Sequence, residues 1–196
     1  MSMRAIGGWI GLGSPAEPRL AVTRERLLRL APAASATIVA GIAGRFGALA
    51  AGHEVITRLR ICHFLAQAAH ETDGFRTLEE YGGPAYFIRY EGRRDLGNAE
   101  AGDGLRYHGR GIFQLTGRAN YRRYGQILDI DLEAKPERAK EPEISLRIAF
   151  AYWNERAINA AADADDIERV TKLINGGRNG LAERTRYLAK AKGIWL

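Results

Sequence analysis

Three glutamates gather where a helical pattern runs out. In His63-Phe-Leu-Ala-Gln-Ala-Ala-His70-Glu71-Thr-Asp-Gly74, Glu71 closes an apolar stretch, and Glu79 and Glu80 follow eight and nine residues later across a turn. Hydrolysis of a glycosidic bond needs one protonated carboxyl for the leaving oxygen and one ionised carboxylate for water or the sugar. Glu71 suits the acid, because the C-terminal end of a helix is electrically negative and partial burial there disfavours a further anion. A helix end facing a loop can set two carboxyl groups on opposite sides of a groove. The spacing alone is a weak signal, since most surface glutamates do no chemistry.

Other chemistries have less support. The four histidines, His53, His63, His70 and His108, show no ligand spacing with a third partner. His63 and His70 share a helix face and read as a packed or surface pair. Gly109-Arg110-Gly111 is too short for a phosphate-binding loop, and no serine or cysteine nucleophile has a local histidine partner. Cys62 is the single cysteine, which excludes an intrachain disulfide and a cysteine-based metal site; on an apolar helix face it reads as a buried, inert thiol. No metal and no cofactor are expected.

The elements that must position these groups are mostly helices. Val55, Leu59, Cys62, Ala66 and Ala69 recur at spacings of three and four, predicting a helix over 53–72 with one face in a core and Gly74 as the left-handed residue beyond its end. Thr23 caps a helix over 24–30, and Ser35 a second to about Ala51. Residues 76–115 are polar and glycine-rich, predicting an irregular segment with a small β-hairpin and a short strand within Tyr107–Leu115. A long irregular insert in a helical domain is usually functional. Thr116 is the expected cap of a helix to Leu128, and Pro142 opens one to about Ala161 that buries Ile144, Ile148, Ala151, Tyr152 and Trp153. Asp163 or Asp165 opens a helix over 166–174, closed by Asn175-Gly176-Gly177, and a basic helix over 180–192 follows. The expected fold is a mainly α single domain over 23–196 behind an irregular leader, residues 1–22.

Composition narrows the partners. At 196 residues and 46% hydrophobic, the chain can bury one sizeable core. No apolar run approaches the ~18 residues of a membrane helix, and Ala5–Gly13 is too glycine-rich for a cleaved signal. Net charge +6 and a pI near 9.7 favour an anionic partner: nucleic acid, membrane surface or an acidic wall polymer. The basic residues are interspersed with acids, which argues against a nucleic-acid module.

Four segments in order make the reading specific. Ala69-His70-Glu71-Thr-Asp-Gly74-Phe75, Tyr107-His-Gly109-Arg110-Gly111-Ile-Phe-Gln114-Leu115-Thr116, Asn120-Tyr121 and Ile174-Asn175-Gly176-Gly177 resemble glycoside hydrolase family 19, over about residues 55–190. Tyr90-Glu91-Gly-Arg93-Arg-Asp95-Leu96-Gly97-Asn98 is more typical of its bacterial and phage cell-wall branch than of plant chitinases. Ala119 stands where plant enzymes carry an aromatic. The resemblance implies a lysozyme-like α+β fold and an inverting reaction, with the carboxyl groups ~6.5–9.5 Å apart. It implies Glu71 as general acid and Glu80 as base, with Glu79 and then Glu91 as alternatives. It implies Thr116 as holder of the attacking water. Gln114, Asn120 and Asn175 would bind sugar, with His70, Tyr107, Arg110 and Arg184 also assigned to the binding site. The implied protein is a monomeric endolysin acting on peptidoglycan or a chitin-like polysaccharide. It would bind no nucleic acid, insert into no membrane, and stay cytoplasmic until released to the wall.

Overall fold

A computed structural model describes residues 19–195. Most of the expected leader, residues 1–18, lies outside the described residues. The helices are α1 Arg24–Leu30, α2 Ala36–Gly52, α3 Arg58–Glu71, α4 Pro84–Phe87, α5 Asp103–Arg106, α6 Arg118–Leu128, α7 Pro142–Glu155, α8 Ile158–Asp163, α9 Ile167–Asn175 and α10 Leu181–Ile194. Single 3₁₀ turns at Ile88–Tyr90, Arg94–Leu96 and Pro136–Lys140 complete the order. The expected mainly helical architecture is the one observed.

At the centre runs α3. Ile61 through Ala69 are all buried, so this helix is enclosed on every side, more deeply than a one-faced periodicity implies. It packs chiefly on α10, and also on α8 and α9, while α2 lies against α7. The core centres on Phe46, Phe64, Phe150 and Trp153. Phe64 stacks on Phe150 at 4.5 Å and lies 5.3 Å from Trp153, and each such pair adds about 0.5–1.5 kcal/mol beyond the area it buries. Burial pushes the Cys62 thiol up to about 11, as expected of an inert thiol.

Several boundaries differ from the sequence pattern for local reasons. Thr57 caps α3 by accepting from the Arg60 amide, so the helix starts at Arg58 and residues 53–57 form a turn, with Glu54 at φ 56°. Thr116 is not a cap: its hydroxyl donates to the Gln114 carbonyl, and Gly117 at φ 91° precedes α6. The helix expected to run from Pro142 to Ala161 breaks after Glu155, where Ala157 adopts φ 50°. Asp166, rather than Asp163 or Asp165, caps α9 through the Arg169 amide. The β-hairpin reduces, among the described residues, to isolated antiparallel bridges, Glu79 to Arg110 and Arg110 to Leu115.

Candidate active-site cleft

Glu71 is the last residue of α3, and the turn after it is fixed from inside. The buried Thr72 hydroxyl donates to the Ala68 carbonyl at 2.6 Å and accepts from the Phe75 amide at 2.9 Å. Asp73, Gly74 and Phe75 all take positive φ, 51°, 69° and 58°, which swings the chain sharply off the helix. Glu71 then meets Arg184 of α10, whose guanidinium is 2% exposed and lies 2.5 Å from the carboxylate. Arg184 also bonds Gln67, which reaches Thr171 of α9 at 3.3 Å. A polar chain through three helices thus sets a buried cation against Glu71, where the sequence pattern implied only a negative helix end that disfavours an anion.

Glu80 is held by different means. Its amide donates to the Gly109 carbonyl at 2.9 Å, and the Gly111 amide donates to Leu78 at 2.8 Å. The carboxylate accepts from the Tyr90 hydroxyl at 2.8 Å and the Gly109 amide at 3.0 Å. Burial, reinforced by Glu80, pushes the Tyr90 phenol up to about 12, so it stays a donor. A tight turn with Gly111 at φ 83° and Gln114 at φ 49° then brings Gln114 back beside Gly109. A Cβ on Gly109 would lie 2.7 Å from Gln114 Oε1 and 2.9 Å from Glu80 Oε2. Only a glycine leaves these two side chains room to converge.

The cleft itself encloses about 350 Å³. Glu71, Gln114, Thr116, Asn120 and Asn175 all line it, and Phe113, Tyr124 and Tyr152 supply its apolar surface. Glu80 and Glu79 line a separate hollow with Tyr81 and His108. Asn120 donates to the Thr116 carbonyl at 2.7 Å. Asn175 is engaged locally, accepting from Gly177 at 2.8 Å and donating to Asn179 at 3.0 Å, beside the left-handed Gly176 that ends α9.

Other expected site residues fall outside the cleft lining. Glu79 bonds Lys140 at 2.7 Å, His108 at 3.1 Å and Arg110 at 3.2 Å. Burial opposes its ionisation, but these three partners outweigh it and hold the carboxyl below its ordinary value. Glu91 accepts from the Gly102 and Gly104 amides at 2.6 and 2.8 Å, one per oxygen. Tyr107 is 1% exposed with its hydroxyl on the Glu133 carbonyl. The buried Arg110 bonds Glu79, the Arg106 carbonyl and Tyr121. His70 bonds Glu183 at 2.6 Å and packs its ring against Gly180. Tyr107, Arg110 and His70 are therefore placed as supports rather than as walls. Arg184 likewise reaches the site only through Glu71.

The sequence reading missed Arg123, Tyr124, Glu155 and Arg156 in the cleft wall. The signal was present: Arg123 and Tyr124 sit three and four residues beyond Asn120 on one helix, and so share its face. Trp153 is fully buried as expected, whereas Tyr152 is half-buried and reaches the cleft. Among the described residues, no three His, Cys, Asp or Glu side chains are grouped to hold a metal ion.

A helical domain with one carboxylate at a central helix end and a second on the glycine-rich segment beyond it has the architecture of a lysozyme-like glycoside hydrolase. The family model for class I chitinases matches residues 33–172, and the chain belongs to glycoside hydrolase family 19. It is 29% identical over 159 residues to a glycosyl hydrolase family 19 domain-containing protein of Haemophilus influenzae, covering 67% of this chain and 78% of that one. It is 35% identical over 112 residues to endochitinase 1 of Theobroma cacao, covering 52% of this chain but only 35% of the plant protein. Its fold matches chitinase C from Streptomyces griseus HUT6037 with a TM-score of 0.74 at 21% identity, over 93% of this chain and 79% of that one.

Proposed function

We propose that the chain hydrolyses β-1,4-glycosidic bonds of bacterial cell-wall peptidoglycan by an inverting, two-carboxylate mechanism. The observation that carries the reading is the cleft in which Glu71 meets Gln114, Thr116, Asn120 and Asn175, with Glu80 beside Gln114 across the gap at Gly109. Glu71 donates its proton to the leaving glycosidic oxygen. Glu80 takes a proton from a water held by the Thr116 hydroxyl, and that water attacks the anomeric carbon from the opposite face. Gln114 and Asn120 bind sugar amides or hydroxyls. Arg184, reaching substrate only through Glu71, is a positioning residue. The net charge of +6 suits an anionic wall, and the protein would act as an endolysin, held in the cytoplasm until released to the wall.

Chitin is the second reading, favoured by the endochitinases and chitinases among the similar proteins. Digestion of purified sacculi and of chitin oligomers by the parent chain, Glu71→Gln and Glu80→Gln, with mass spectrometry of the products, tests both. Reducing-end fragments from sacculi, lowered by about 10²–10⁴-fold in each variant, are expected. Cleavage of chitin oligomers alone would keep the mechanism and change the substrate. Anhydro-sugar products, with Glu80→Gln fully active, would replace hydrolysis by a single-glutamate lyase reaction.

A further inference from the structure

The helical wall of the cleft carries charge that the hydrolytic residues leave unused. Arg123 and Tyr124 of α6 and Tyr152, Glu155 and Arg156 at the end of α7 line it together. Glu155 is satisfied within the wall, accepting from Arg123 at 2.6 Å and the Tyr124 hydroxyl at 2.9 Å. Arg156 is exposed, and among the described residues it forms an ion pair with no carboxylate. Its guanidinium carbon lies 3.7 Å from the centre of the Tyr152 ring. Tyr152 is itself anchored, its hydroxyl donating to the Ile174 carbonyl at 2.5 Å. The guanidinium, resting on an anchored ring and engaged by the Tyr124 and Tyr152 hydroxyls, is held in one orientation, and its remaining N–H groups are open to in-plane partners. That fork matches a carboxylate, with which it can make two parallel hydrogen bonds. Arg156 also borders an adjoining hollow of about 490 Å³ with Asn175 and with Lys172, which pairs with Glu168.

Neutral N-acetylglucosamine polymers offer hydroxyls and amides but no anion. The wall glycan carries on alternate sugars a lactyl group whose carboxyl is either free or amide-linked to a stem peptide that brings carboxylates of its own. We propose that Arg156 is a specificity-determining residue that binds a carboxylate of the glycan and favours an anionic wall polymer over a neutral one. The inference rests on the hydrolytic reading of the same cleft.

The test compares kcat/KM on neutral N-acetylglucosamine oligomers with that on carboxylate-bearing wall glycan of matched length, for the parent chain, Arg156→Ala and Arg156→Lys. Arg156→Ala is expected to lower the anionic-to-neutral ratio about tenfold, chiefly through KM, and Arg156→Lys to restore part of it. Amidating the glycan carboxylates should shrink the parent's ratio to that of Arg156→Ala, as should raised salt in smaller measure. Equal losses on both glycans would make Arg156 a structural residue, and an unchanged ratio would leave it no part in recognition; either overturns the inference. A parent chain that cleaves neither glycan removes the hydrolytic reading itself, and this inference with it.

Discussion

Glu71 and Glu80 are set on two kinds of scaffold. Behind Glu71 lies α3, buried from Ile61 to Ala69, and a polar chain of Arg184, Gln67 and Thr171 inside the helical core. Behind Glu80 lie short turns and single bridges, held by a phenol, a backbone amide and the Glu79 charge cluster. The helix fixes its carboxylate by packing and by a buried ion pair, which salt screens little. The glycine-rich segment fixes its own by directed polar contacts, which pH or salt can loosen. The Glu71 scaffold is thus rigid by burial and the Glu80 scaffold by hydrogen bonding.

The sharpest way to break this contrast is Arg184→Ala. It leaves Glu71 and Gln67 facing an empty buried site and should cost about 3–5 kcal/mol of stability, read as a lowered urea midpoint. A small change in that midpoint would mean that Glu71 does not depend on the buried chain. Asp103→Ala tests the other side: Asp103 is 1% exposed and binds Arg118 together with the Ala99 and Glu100 amides. It should cost about 3 kcal/mol, and a change in activity well before global unfolding would show that the irregular segment opens separately. Gly109→Ala should lower kcat about tenfold while shifting the melting temperature little, because the new methyl displaces the ends of Gln114 and Glu80 rather than backbone. An unchanged kcat would show that their convergence is not needed. Tyr90→Phe is the mildest, removing one bond to Glu80 for about 1 kcal/mol, with its effect expected in activity more than in stability.

Acid should separate the two sides as well. The Glu79 carboxyl, opposed by burial but dominated by Lys140, His108 and Arg110, titrates below its ordinary value in the folded chain. Its ion pairs therefore stabilise the fold above the ordinary carboxylate range, and that contribution is lost as pH falls through the lowered value. Asp103, held down mainly by Arg118 against the cost of burial, contributes with the same sign. Melting curves across the acid range should fall less steeply for Glu79→Gln than for the parent; parallel curves would remove Glu79 from the account.

Much of the frame was legible because helix ends are written locally. The Thr23 hydroxyl accepts from the Arg26 amide as the cap pattern requires, and Gly176 takes φ 76° after α9. Thr116 misled because two competing bonds were open to its hydroxyl, and a turn carbonyl won. The break after Glu155 has no sequence mark, since Ala157, at φ 50°, is an ordinary helix former. In the site, the motif residues Glu71, Gln114, Thr116, Asn120 and Asn175 came together on one cleft. Tyr107 and Arg110, next to them in sequence, turned into the core, and His70 turned to Glu183 of α10, because a motif specifies neighbours along the chain and not which way each side chain faces. The arginines of the far wall belong to helices whose mutual packing no local pattern specifies.

The depth of α3 also makes its one thiol a clock. Cys62 sits nine residues before Glu71 on that helix, wholly enclosed and with its ionisation suppressed, so an alkylating reagent reaches it only in molecules whose central helix has opened. The rate of labelling then counts those openings without any added probe. A glycan bound in the cleft at Glu71 should slow that rate in proportion to its occupancy, which turns substrate binding into something that can be timed on the unmodified chain.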